Sequence, residues 1–452
     1  MDFESPQPKK NAQLRPRVQE LVADTGSFLR TRVWLFSSAC VLIVGAAVVQ
    51  PESLFSAPIF RLGAGAAPRN ASEPWSLERR TKPDFVCLVI AGGLRADRAG
   101  FGSEPNGETP TLERFASVAS IFESSCAQAS EPSVSLKSML SGTYPAKLIL
   151  EQTGADQRSL MRISNPSTFM QNAFGRVRSE LGQWLEQAGY QTTAFSDADW
   201  IQGNPSFSES FEGPKQSGQS PIEQATQWVA ALNLGETRER HALIIHLDEM
   251  LPEGVSSQDS SAGYAHNLAV LDQELGVLFK VIDQRMLWNQ GVIILTSDHG
   301  TSLGERGVVG HGDLYLEQLM VPLGIKFPES WGVPPGRHMG GVELVDLLPT
   351  VQDICAGSEG DWDGHSILPM AFRGRPGRNL LVAQTSSGPH GANPTTRSAI
   401  DPRRWQLIQD ARGDGLLFFA LASDPQALQP VQPGDLEVPS FVTSLFAGRL
   451  PD

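Results

Sequence analysis

Ser297-Asp298-His299-Gly300 sets a carboxylate beside an imidazole just after the apolar run Gly291 to Thr296, and His311 follows inside Gly310-His311-Gly312. Carboxylate oxygen and imidazole nitrogen on a strand-end loop suit a divalent cation. The same pair has a structural reading. In it, Asp298 caps the following turn and His299 fills a polar hole, each satisfying the other or nearby backbone groups.

Positioning such residues requires buried strands. Phe85 to Ile90 (FVCLVI) is a continuous apolar run ended by Gly92-Gly93, the pattern of a strand covered on both faces that turns tightly into a helix. Ala242 to Leu247 stops in the same way at Asp248-Glu249, and Gly291 to Thr296 stops at Ser297. Between them Leu268, Leu271, Leu275, Leu278 and Ile282 recur three and four apart, the stripe of a helix lying on a sheet. Thr192 to Phe195 reads as a further strand after a helix around Leu181 to Gln187. This alternation predicts an α/β fold, a mostly parallel central sheet with helices on both faces. Ligands of such sheets bind beyond the carboxyl ends of the strands, where Gly92, Asp248 and Asp298 fall. Further on, Trp405 to Gln409 and Leu416 to Ala420 read as short strands joined by the turn Asp410 to Gly415, a small C-terminal α+β subdomain.

Several short segments carry a family resemblance. Thr296-Ser-Asp-His-Gly300, Leu303-Gly-Glu-Arg-Gly307, Gly310-His-Gly312 and Val321-Pro322 are preceded by Leu94-Arg-Ala-Asp97, Thr109-Pro-Thr-Leu112 and Ser138-Met-Leu-Ser-Gly142 with Tyr144-Pro145. They are followed by Val345-Asp346 with Pro349-Thr350, Asp363-Gly364 with Leu368-Pro369, and Asp424-Pro425. In this order they resemble the sulfatase branch of the alkaline phosphatase superfamily over about residues 82 to 428.

The resemblance implies a metal-dependent ester hydrolase, but it fails at most of the residues that would carry the chemistry. Where the family's first strand ends in a metal-binding Asp, this chain has Gly92. The family nucleophile lies ten residues before the glycine of Ser138 to Gly142, and an ungapped match puts Pro132 there. Two and four residues on, the family has Pro and a basic residue; here stand Val134 and Leu136, so the pattern required for formylglycine formation is missing. A family histidine after a middle strand becomes Met250. Ser133 and Ser135 are displaced from the nucleophile position by one and three residues. Gly92, Pro132, Leu136, Met250 and His311 are therefore read as a vestigial site with no catalytic residue. Asp298 and His299 are its remnant metal pair.

Val33 to Val49 is a run of seventeen uncharged residues, with Arg30 and Arg32 before it and no basic residue after it until Arg61. That length just spans a bilayer, and the charge bias puts the N-terminus in the cytoplasm. The sequence thus divides into a cytoplasmic arm (1–32), a transmembrane helix (33–49), a Pro/Ala/Gly/Ser linker (50–81), the sulfatase-like domain (82–375) and a C-terminal subdomain with tail (376–452). The chain's net charge is −14, which argues against a nucleic-acid partner because phosphate binding rests on clustered Lys and Arg. The four cysteines give no disulfide framework.

These features together predict a single-pass inner (plasma) membrane protein with its main domain periplasmic or otherwise extracytoplasmic. The expected role is that of a pseudoenzyme, a protein-binding or structural subunit of a membrane assembly that needs no cofactor. The competing expectation is a sulfuric or phosphoric ester hydrolase or transferase with a rearranged site holding a divalent cation such as Ca2+. A third is a site that binds an anionic sugar or lipid headgroup through His311 and Lys137 without cleaving it.

Overall fold

The computed structural model describes residues 81–102, 107–145, 180–198, 201, 218–233, 239–251, 254–355, 360, 362–385, 396–409 and 415–432. The expected arm, transmembrane helix and all but the last residue of the linker lie outside the described residues. Among the described residues, no helix is long and apolar enough to cross a membrane.

The chain order is β1 (Phe85–Ala91), α1 (Pro110–Val118), β2 (Ser120–Cys126), α2 (Pro132–Ser141), α3 (Glu180–Gln187), β3 (Tyr190–Ser196), α4 (Pro221–Ala231), β4 (Arg240–Leu247), α5 (Ser260–Gln284) and β5 (Val292–Thr296). The short pair β6 (Ser302–Leu303) and β7 (Val309–Gly310) follows, then α6 (Leu316–Leu319), β8 (Met320–Val321), β9 (Leu323–Lys326), β10 (Gly336–Glu343), α7 (Leu347–Ile354) and α8 (Leu368–Arg373). The chain then forms β11 (Leu381–Thr385), β12 (Thr396–Asp401), β13 (Trp405–Gln409) and β14 (Leu416–Phe419).

The large sheet has the order β10-β2-β9-β5-β1-β4-β3, with β8 beside β2. Its centre, β5-β1-β4-β3, is parallel, and β9 is antiparallel to both β5 and β2. All seven residues of β1 are buried, as the continuous apolar run requires. Val86, Leu88 and Ile90 pack toward Leu136, Leu140, Leu185 and Val351, so α2, α3 and α7 cover one face. On the other, Phe115 of α1 stacks on Phe279 of α5 with centroids 5.7 Å apart. The buried Asp272 of α5 accepts from the N–H groups of Thr111 and Leu112 at 3.1 and 2.8 Å, and so anchors the start of α1.

The four C-terminal strands form a separate antiparallel meander, β11-β12-β13-β14. Ile400, Ile408 and Phe419 of this sheet close over Leu314, Leu316 and Leu319, so the meander buttresses the loop that follows His311.

Candidate functional site

The site gathers at the carboxyl ends of β1, β4 and β5. Pairing of β1 with β4 continues past both strands: Gly92 N donates to Leu247 O at 2.9 Å, and Met250 N donates to Gly92 O at 2.8 Å. A Cβ at position 92 would lie 2.0 Å from Asp248 O and 2.7 Å from Leu247 O. The place of a first-strand carboxylate is therefore filled by main chain. The expected strand-to-helix turn at Gly92-Gly93 is corrected here, since the next helix begins only at Pro110. Glycine is required at 92 by close approach of the backbone.

Asp298 and His299 are both fully buried just beyond β5. Asp298 Oδ1 accepts from the backbone N–H of His299 at 2.9 Å, which is the local capping expected. The pair is not self-sufficient, however. Asp298 Oδ2 and His299 Nε2 have no hydrogen-bond partner, and the two side chains approach only to 3.6 Å. His299 Nδ1 lies 2.8 Å from Gly300 O and donates to it, since a carbonyl can only accept. His299 Nε2 faces Glu249 Oε1 at 3.4 Å, and Glu249 Oε1 in turn lies 3.1 Å from His311 Nε2, out of line for a hydrogen bond. His246 of β4 completes the cluster, with Nε2 3.5 Å from Asp298 Oδ2 and Nδ1 2.9 Å from Ser196 Oγ.

Charges respond to this packing. Burial pushes the Asp298 carboxyl upward, but the His299 and His246 imidazoles outweigh it and hold the group below the usual carboxylate range. Burial pulls His311 down, and Glu249 reverses that to leave it above the ordinary histidine value. Lys137, buried on α2, is pulled down by desolvation to about 7.

Pro132 is the first residue of α2, where its missing N–H costs nothing, and Gly142 ends the helix at φ +64°. Leu136 points into the apolar core, so a basic side chain there would have no water to reach. Ser135 Oγ donates to Asp298 O at 2.5 Å, which ties α2 to the β5 loop and commits that hydroxyl. Met250 is buried, and its carbonyl accepts from Asn267 at 2.9 Å.

Sequence reasoning missed Glu249, His246 and Ser130. An acid after a strand and a histidine inside ALIIHL carry no spacing signal, but Ser130 does, because it stands two residues before Pro132, the separation of nucleophile and proline in the resemblance. Its hydroxyl is fully buried and has no hydrogen-bond partner.

A mostly parallel sheet covered on both faces, with a polar cluster beyond the carboxyl ends of its central strands, makes this a doubly wound α/β fold. The sulfatase family profile matches residues 84–357, and the chain belongs to the sulfatase family. Choline-sulfatase of Rhizobium meliloti is 29% identical over 179 residues, 37% of this chain and 34% of that protein. The multifunctional alkaline phosphatase superfamily protein PehA of Trinickia caryophylli is 31% identical over 121 residues, 25% of this chain and 23% of its own. The chain thus matches about a third or less of the length of these curated relatives. Among solved structures, the phosphonate monoester hydrolase of Agrobacterium radiobacter aligns with TM-score 0.55 and 15% identity, covering 81% of this chain and 94% of that one. A protein of glycosaminoglycan metabolism from Bacteroides thetaiotaomicron aligns with TM-score 0.59 and 15% identity, covering 82% and 100%. At these identities the structures establish the fold.

The family's divalent cation can be tested against the residues present. A hard cation takes six or more oxygens, whereas this cluster offers two carboxylates among three imidazoles, and backbone occupies the place of the first-strand acid. Among the described residues, no three His, Cys, Asp or Glu side chains come together in a way that could hold a metal ion. The residues present do not fit the family's cation.

Proposed function

We propose that this sulfatase-family chain is catalytically silent and serves as a membrane-tethered binding or structural subunit. The closure at Gly92 carries the reading: a carbonyl 2.0 Å from the missing Cβ leaves no space for the acid that family chemistry would need there. Pro132 and Leu136 agree with it, one supplying no nucleophile and the other facing the core. The tether rests on Val33 to Val49, and a binding role follows from a retained fold without its chemistry.

The test is to assay the purified chain on sulfate, phosphate and phosphonate esters with calcium, magnesium, manganese and zinc in turn. No turnover above background is expected, and turnover that disappears in Asp298→Ala would overturn the reading. Membrane fractionation and mild-detergent purification examine the tether and the partner. One observation favours a second reading, ester hydrolysis with Ser130 as nucleophile: the buried hydroxyl without a partner, two residues before Pro132. Turnover abolished by Ser130→Ala would select it.

A further inference from the structure

β10 is the last strand on its side of the large sheet. It runs parallel to β2, and β9 between β2 and β5 is antiparallel to both, so β10 points the same way as β1. Its first residues therefore lie toward the opposite end of the sheet from the buried Asp298 cluster. Gly336 N donates to Ala119 O at 3.2 Å, which turns Gly336 toward β2 and leaves the main-chain groups of Arg337 on the outer edge; the register on β2 then shifts between His338 and Gly341. That edge is closed further along by Gly341, which exchanges backbone hydrogen bonds with Arg378 at 3.0 and 2.8 Å. Before that point no further strand pairs with it among the described residues. Met339 presents its side chain, 56% exposed, beside this open edge.

A groove of about 590 Å³ runs along the edge between β10, the Gly374 to Asn379 segment and the β12–β13 turn. Arg337, Arg375, Arg378, Arg403 and Arg404 line it, against the single acid Asp401. Acids outnumber bases 50 to 36 in the chain, so this reversal is local. Arg378 is committed to Asp346 and Glu343, and Arg337 to Glu123. Arg375, Arg403 and Arg404 are exposed; Arg403 reaches Met339 O at 3.0 Å, and the Arg404 side chain is 73% exposed with Asp401 4.0 Å away.

We propose that this groove docks an extended acidic peptide of a partner protein, which pairs with the main chain of β10 at Arg337 and sets its carboxylates on Arg375, Arg403 and Arg404. An open edge supplies main-chain pairing and the arginines supply charge selection, the combination by which sheet edges recognise peptides. An open sheet edge would otherwise invite indiscriminate pairing, and the arginine rim restricts it to acidic segments. The inference deepens the binding role proposed above by naming the partner's chemistry.

The test uses the full chain and a fluorescent octapeptide of alternating glutamate and valine, read by anisotropy. Binding is expected that weakens about tenfold or more in the double variant Arg375→Glu/Arg404→Glu, and likewise when every peptide amide is methylated. Both substituted side chains are exposed, and an unchanged melting temperature confirms that the variant is folded. The proposal is overturned by no binding at about 1 mM peptide, or by binding that survives the double variant. Equal binding of the methylated peptide or of a heparin oligosaccharide also overturns it, since either marks a general polyanion site. Turnover assays report on the cleft and anisotropy on β10, so the two readings fail separately.

Discussion

Glycine at position 92 is where side-chain identity and main-chain path become one question. Gly92→Asp would restore the acid that the resemblance implies, yet its Cβ would meet Asp248 O at 2.0 Å. The ends of β1 and β4 would have to separate, breaking the Gly92–Leu247 and Met250–Gly92 hydrogen bonds. The expected loss of stability is about 3 kcal/mol, checked by urea unfolding, because overpacking against main chain cannot be relieved by a rotamer change. A Gly92→Asp protein as stable as the parent would show that the strand ends are open. Asp298, His299 and His311 were legible in the sequence because they sit in a motif after an apolar run. Glu249 and His246 were not, since they join the cluster only through the register of β4 against β1 and β3. The backbone closure has no side-chain signature at all.

At the scale of elements, β9 brings an unusual group into the sheet. Lys326 is buried there, with Nζ donating to Trp288 O and Gly291 O and lying 5.3 Å from the centre of the Trp288 ring. Burial pulls its pKa down to about 7, against the opposing pull of Glu329 and Asp283. A folded-state value below the unfolded one, about 10.4, means that the unfolded chain binds more protons between the two, so stability rises with pH across that window. The gain is about 1 kcal/mol between pH 7 and pH 8. Lys326→Met should remove it, giving a flatter melting temperature over pH 7 to 9; an unchanged slope would show that Lys326 stays charged. β1, β4 and β5 were readable as uninterrupted apolar runs, and α5 as a leucine stripe. The antiparallel β9 and the outer strand β10 were not read as strands, because β9 is short and β10 holds three glycines and alternates exposed with half-buried residues over its first half.

Across the whole molecule, the C-terminal meander holds the site loop as well as covering it. The buried Gln406 of β13 donates to Leu314 O at 2.7 Å and to Ser398 Oγ at 3.1 Å, and Arg306 reaches Ala427 O at 3.3 Å from the loop before His311. Gln406→Leu leaves the Leu314 carbonyl buried without that donor, and about 1 to 2 kcal/mol of destabilisation is expected. Hydrogen exchange should quicken in Leu314 to Leu319 and in β12 together; exchange confined to the meander would show that the two parts are independent. The ordered family segments made the fold class legible over about residues 82 to 428, because shape depends on many positions and survives the loss of a few. The resemblance places the chemistry on far fewer positions, and this chain departs from it at Gly92, Pro132, Leu136 and Met250.

The main-chain contact at Gly92 also bears on history. A side chain that is lost can return by one codon change while its vacated space persists. Here main chain fills that space, so an acid at position 92 would be useful only if the path of the two strand ends were different. On the reading proposed above, the closure works as a ratchet: no single substitution at position 92 leads back to an acid that fits.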